Sequence, residues 1–321
     1  MLVDNQNMNQ HVFLALGAAA LFGASTPFAK LLAGDMPPVL LAGLLYVGSG
    51  VGLMLLRLIR DRGFKRSGLT SAEWPWLLGA VFFGGVLGPV ALMLGLTSTS
   101  GSTASLLLNL ESVLTAVIAW WVFKENADRH IVLGMAAIVA GGGVLAWSGQ
   151  VGSVAGWSGP LLVTGACLCW AIDNNLTRKV SGSDALFIAC TKGLMAGAVN
   201  TGLAFSMGAQ LPTVLTTLAT LLLGFLGYGI SLVFFVLALR GLGTARTGAY
   251  FSTAPFLGAA LSIGVLGESI SPLFWVAAAL MGVGVWLHLT ERHEHAHEHD
   301  GGVRHTHAHY PDIHHRHRHD H

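Results

Sequence analysis

The sequence predicts an all-α membrane protein of about ten transmembrane helices, arranged as two inverted five-helix repeats and followed by a disordered, histidine-rich C-terminal tail. Three observations carry this expectation. The first is composition: 53% of residues are hydrophobic, 10% are charged and the mean hydropathy is +0.63. Water-soluble domains carry about a quarter charged residues. Glycine is abundant, at 42 residues, as in closely packed membrane helices. The second is an internal repeat. Gly95 to Glu125 reappears without a gap as Ala238 to Glu268, with Leu96 meeting Leu239, Leu114 meeting Leu257, Ala116 meeting Ala259, Val122 meeting Val265 and Glu125 meeting Glu268. Each copy is a small-residue hairpin, an apolar helix and a terminal glutamate, as in many transporters built from half-protein repeats. The third is the distribution of basic residues, which fixes an orientation.

The apolar runs follow in order. His11 to Ala33 is the first and reads as a retained helix, because it lacks the cleavage site of a signal peptide. Pro37 to Ile59 is the second, and Arg57, Arg60, Arg62, Lys65 and Arg66 form a basic loop after it. Trp74 to Leu96 is the third, with a kink expected at Gly88-Pro89. Gly101 to Phe123 is the fourth, and His130 to Trp147 is the fifth, where Gly141-Gly142-Gly143 permits close approach. The uncharged stretch Ser148 to Gly156 divides the halves. Trp157 to Lys179, Asp184 to Met207, Pro212 to Leu239, Thr244 to Leu266 and Pro272 to Leu289 complete the set. Each is about long enough to cross ~30 Å of hydrocarbon. The expected units are residues 11–148, residues 157–289 and a tail over 290–321.

About ten crossings put both termini on one side. With that side cytoplasmic, the inner loops hold Arg57 to Arg66, Lys124 and Arg129, Arg178 and Lys179, and Arg240 and Arg246. The outer loops hold almost no basic residues, Lys30 excepted, which satisfies the positive-inside rule. An odd number of helices in each half makes the two copies enter from opposite sides, so Glu125 falls at the inner face and Glu268 at the outer. This is the arrangement for alternating access around a midplane site.

The start of each half also echoes. Phe22-Gly23-Ala24-Ser25-Thr26-Pro27 aligns with Trp170-Ala171-Ile172-Asp173-Asn174-Asn175, followed by Lys30 against Arg178. Polar groups that late in an apolar helix should face the bundle interior. On these residues, with the Pro255 helix and the terminal Glu125 and Glu268, the chain resembles the drug/metabolite transporter superfamily, EamA type, over nearly all of Val12 to Leu289. The resemblance implies a ten-helix fold of inverted repeats and export or exchange of small metabolites, and leaves the solute unnamed. Ser112 stands where the second half has Pro255, and Phe22 where it has Trp170, which departs from a symmetrical site.

Three ionisable residues sit at helical depths where charge is costly: Glu111 in the fourth helix, Asp173 in the sixth and Lys192 in the seventh. On one reading Glu111 and Lys192 neutralise one another. On the other, Glu111 or Asp173 accepts a coupling proton or a cationic group, while Lys192 holds an anionic group or tunes the carboxylate. Asn109 and Asn174 supply neutral hydrogen bonds, and Trp170 and Tyr250 wall the cavity.

The tail places His293, His295, His297, His299, His305, His307, His309, His314, His315, His317, His319 and His321 among Glu294, Glu298, Asp300 and Arg316. Alternating histidine is not a helical face, and a flexible chain of imidazoles takes up zinc, nickel, cobalt or copper. No cofactor is required; a divalent transition metal on the tail is the expected ligand. His11, His130 and His288 read as interfacial residues. Cys167, Cys169 and Cys190 lie in apolar runs and read as packing. No paired-carboxylate or HExxH motif, phosphate-cradling loop or nucleophile elbow is present, which argues against an enzyme, and no filter segment suggests a channel. Net charge of +1 hides an uneven distribution and says nothing about nucleic acid, and no nucleic-acid partner is expected. The expected function is a secondary carrier of a small organic solute in the inner membrane, monomer or homodimer, with a metal-binding cytosolic tail. The alternative is a divalent metal efflux carrier (nickel, cobalt or zinc) or a membrane metal sensor.

Overall fold

The computed structural model describes residues 2–63, 67–123, 129–148, 155–180, 182–289, 294–298 and 304–308. The predicted runs become helices nearly end for end. The first half comprises α1 (Leu2–Leu32), α2 (Pro38–Asp61), α3 (Trp74–Ser98), α4 in two pieces (Gly101–Leu107 and Leu110–Phe123) and α5 (Arg129–Ser148). The second comprises α6 (Ala155–Val180), α7 (Ala185–Ser206), α8 (Val214–Ala238), α9 (Ala254–Leu266) and α10 (Pro272–Leu289). Six spans are both long and apolar enough to cross a membrane among the described residues. The outer surface is apolar as a lipid-facing wall requires, with Trp121 84%, Leu215 79% and Ile59 76% exposed.

Helical backbone continues from Ser231 to Phe251, through the reversal expected before Thr244. The rings of Phe235 and Phe251 nevertheless lie 4.9 Å apart. Sixteen residues of straight helix would separate them by about 24 Å. The chain therefore turns back on itself between them, as the repeat demands.

The repeat is visible in two local irregularities. Residues Val81–Leu87 of α3 and Phe225–Ile230 of α8 both form π-helical turns. Gly84 and Gly227 occupy matching places in them, in phase with the pairing of Gly95 and Ala238. The α4 helix breaks at Leu108–Asn109, and the second half breaks at Ser252–Thr253, one residue beyond the matching position and ahead of Pro255. Broken helices at corresponding positions are a hallmark of transporter halves.

The inversion is visible in the crossing of α2 and α7, the second helix of each half. Gly43 faces Asn200 and Thr201, Val47 faces Gly197, and Gly50 faces Gly193 and Leu194. One number rises as the other falls, so the two helices run antiparallel. A methyl group added at Gly50 or Gly193 would strike the opposing backbone. That absence of a side chain is what lets the helices touch main chain to main chain.

Polar latches hold the bundle ends. Arg57 was expected in a basic loop, but it is buried, with its guanidinium 3.3 Å from Asp184, 3.6 Å from Asp61 and 5.0 Å from the Phe187 ring centroid. Asp184 also caps α7 through the Leu186 N–H at 3.1 Å and pairs with Arg60 at 2.7 Å. At the other end Glu268 accepts the Gly101 and Ser102 N–H groups at 2.6 and 2.9 Å, and Lys30 donates to the Leu96 and Thr99 carbonyls. The first capping places a carboxylate on a helix start, and the second an ammonium on a helix finish, both favoured by the helix dipole. Glu125, the repeat partner of Glu268, lies outside the described residues.

Ten residues of the tail are described, as two short strands. β1 (Glu294–Glu298) and β2 (Arg304–Ala308) pair antiparallel, with His295 opposite His307 and His297 opposite His305. The alternation that is wrong for a helix face has the two-residue period of a strand. The other tail histidines lie outside the described residues.

Candidate functional site

The widened turn of α3 is where the site begins. A π turn frees backbone groups from the regular ladder, and such turns recur at functional positions. Here the Gly84 carbonyl accepts the Tyr46 hydroxyl at 2.8 Å and the Trp170 indole N–H at 2.9 Å. Gly84 also has no Cβ where the Asp173 carboxylate lies; a methyl there would overlap it. The missing side chain thus brings α3, α2 and α6 together around Asp173.

Asp173 and Lys192 are both buried and paired, with Nζ–O distances of 2.6 and 2.7 Å. Thr177, one turn along α6, donates to the same carboxylate at 2.8 Å. The pairing of Lys192 with Glu111, one of the two sequence readings, is therefore not the arrangement found: Lys192 on α7 reaches Asp173 on α6. Glu111 instead accepts a hydrogen bond from Asn174 Nδ2 at 2.8 Å. Among the described residues it has no cationic partner. Its position explains part of its tolerance. It sits in the first turn of the second piece of α4, where the N-terminal end of the half-helix favours negative charge. The matching residue of the second half is Ala254, so the bundle holds one such carboxylate and not two.

Glu111, Asp173, Asn174, Lys192 and Trp170 line one cavity of about 90 Å³. Its remaining wall is aromatic. Phe22 is the hub, with ring centroids 5.9 Å from Trp170, 5.9 Å from Tyr228 and 5.4 Å from Phe251. Tyr46 stands 5.5 Å from Tyr228. Phe22 and Trp170, paired by the sequence as equivalent residues, are thus in edge contact at the centre of the molecule. The buried Tyr228 hydroxyl has Ser25 beside it but no hydrogen bond of normal geometry. The apolar walls and the few convergent polar groups are those of a small-molecule site.

Two sequence candidates fall elsewhere. Asn109 is buried at the α4 break, donating to the Leu106 carbonyl at 3.1 Å with Met281 of α10 at 3.8 Å. Tyr250 packs in a separate cluster with Val12, Ala15 and Leu242; its neighbour Phe251 takes the cavity position. Sequence reasoning missed Tyr46, Tyr228 and Phe251. The signal for Tyr228 was available, since it stands beside the glycine that matches Gly84. Cys167 and Cys190 approach the backbone carbonyls of Leu107 and Gly50, and all three cysteines are free, in keeping with packing roles. Within the helical bundle no group of three metal-ligating side chains occurs among the described residues.

Comparison with known proteins gives a consistent picture. The EamA-like transporter family model matches residues 10–147 and again 157–290. An uncharacterized transporter of Methanothermobacter thermautotrophicus is 24% identical over 285 residues, covering 84% of this chain and 83% of its own. The uncharacterized transporter YyaM of Bacillus subtilis is 24% identical over 290 residues, covering 87% and 93%. A protein of known crystal structure shares the fold with a TM-score of 0.66 at 19% identity, covering 86% of this chain and 94% of that one.

Proposed function

The chain belongs to the EamA-like transporter family, and from that premise we propose that it is a secondary carrier. It moves a small organic solute across the inner membrane by alternating access of its two halves, as an exporter or exchanger, with both termini in the cytoplasm. No nucleotide-binding motif is present, so the driving force is a gradient or exchange.

One observation carries the reading of the site: among the described residues Glu111 is a carboxylate without a cation, in an aromatic cavity whose other charges, Asp173 and Lys192, already neutralise each other. A charge at that depth demands a partner. A proton or the positively charged group of a solute supplies it, and exchange of one for the other couples solute movement to the proton gradient. Lys192, engaged by Asp173, sets the local field and does not itself hold an anionic solute. Trp170, Tyr46, Tyr228 and Phe22 pack the solute's apolar part, and aromatic faces favour a cation.

The test is a solute-flux screen in right-side-out and inverted vesicles with and without a proton gradient. Glu111→Gln keeps shape and hydrogen bonding, so it should insert normally, lose gradient-driven flux and retain exchange. Normal gradient-driven flux in this variant would remove Glu111 from the coupling role.

A second reading is favoured by the tail: metal buffering or regulation by the cytosolic histidines, or at its furthest divalent metal efflux or sensing. Deleting everything after Arg292 separates these. A metal carrier loses metal resistance alone, whereas a regulated organic-solute carrier keeps organic flux and loses its response to metal.

A further inference from the structure

We infer that the tail carries one ordered divalent-metal site, built on the β1–β2 hairpin at His295, His297, His305 and His307, for a cation that takes imidazole nitrogen, such as zinc. The inference rests on the reading above that the tail binds metal, and adds which histidines do so first.

The ladder's register carries it. His295 pairs with His307 and His297 with His305. Residues two apart on a strand, and residues directly opposite across an antiparallel pair, share a face. All four histidines therefore occupy one face. The other face holds Glu294, Ala296, Glu298, Arg304, Thr306 and Ala308, without a histidine. The segregation is complete over ten residues.

Spacing makes the array a metal-sized frame. Opposed positions in such a ladder are ~4.5–5.5 Å apart, and positions two along are separated by about 6.8 Å. Zinc binds imidazole at ~2.0–2.1 Å and takes four ligands in closed sites. Four histidine positions at the corners of that rectangle match the four-ligand number of one such ion. The eight other tail histidines lie outside the described residues. An isolated two-stranded hairpin is marginal in water. A metal bridging both strands supports the pairing that creates its own site, so metal binding and hairpin formation reinforce each other.

The test uses the full-length, tag-free chain in detergent, titrated with zinc against a chromophoric chelator at neutral pH. In one variant His295, His297, His305 and His307 all become Asn. In a second, His314, His315, His317 and His319 become Asn. A third exchanges neighbours, Ala296→His with His297→Ala, which keeps the histidine count and moves one imidazole to the opposite face. The first variant should lose the tightest zinc equivalent and the second should keep it. The third should bind that equivalent at least about tenfold more weakly, since even a lost supporting partner costs that much. Wild-type affinity in the exchanged variant, or equal losses in the first two, would overturn the hairpin site and leave a statistical polyhistidine tail. No zinc bound by the wild-type chain would overturn the tail reading itself.

Discussion

Replacing Asp173 with Asn leaves the Lys192 ammonium buried, at 4% exposure, with no carboxylate to neutralise it. The Nζ–O distance is 2.6 Å. With an effective dielectric of about 20, the attraction at that distance is about 6 kcal/mol. Desolvation of both ions takes part of this back, and breaking buried pairs from one side costs about 3–5 kcal/mol. We expect Asp173→Asn to be destabilising by that amount, read as denaturant unfolding of the purified protein in micelles by tryptophan fluorescence. Lys192→Met strands the carboxylate, although Thr177 still donates to it, so its cost should be smaller. The double variant Asp173→Asn with Lys192→Met removes both charges and should recover to within about 1–2 kcal/mol of wild type, because replacing a buried pair as a unit is often near neutral. A double-variant loss equal to the sum of the single losses within about 0.5 kcal/mol would show that the two residues do not interact, and would refute the pairing on which the isolation of Glu111 rests.

Topology is checked with reporters active only in the cytosol: fusions after Arg66, Arg129, Lys179 and His321 should be active, and fusions after Gly152 and Gly208 silent. At Asp184, burial pushes the carboxyl up, but the hydrogen bond and charge of Arg60, the Leu186 N–H and Arg57 more than offset it, and the group lies below the usual aspartate value of 3.8. Its stabilisation is therefore fully present above pH 3.8 and is lost as pH falls through the lower folded value. Asp184→Asn, which keeps the cap, should cost about 0.5–1 kcal/mol at pH 7, and the difference from wild type should vanish in acid. Gly50→Ala forces a methyl against the Gly193 and Leu194 backbone and should cost about 1–3 kcal/mol of stability. Gly143→Ala meets nothing within 4 Å and should be neutral or stabilising by up to about 1 kcal/mol in the same unfolding assay.

The sequence by itself determined the class, the ten helices and the repeat. Each rests on a property local to a segment: apolar length against bilayer thickness, small residues at contacts, and a pattern that recurs in phase. Even the reversal within Ser231–Phe251, hidden in continuous helical backbone, was legible because the Gly95 hairpin predicts it. The candidate site was legible as a set of depths. Glu111, Asp173, Asn174, Trp170 and Lys192 are polar or aromatic where lipid forbids it, and the cavity gathers all five.

Only the tertiary structure decided who meets whom. Lys192 had two carboxylates within reach of any sequence argument, and the choice of Asp173 follows from the bare Gly84 backbone that admits its carboxylate. Tyr250 and Phe251 are neighbours in sequence, yet one step along a helix turns a side chain by about 100°, and that rotation sends Phe251 into the cavity and Tyr250 to a cluster on α1. Asn109 went to α10 in the same way. Depth in a membrane is fixed by a residue's place along its own helix; its partner is fixed by the rotation and crossing of helices far apart in the chain, which no single segment encodes.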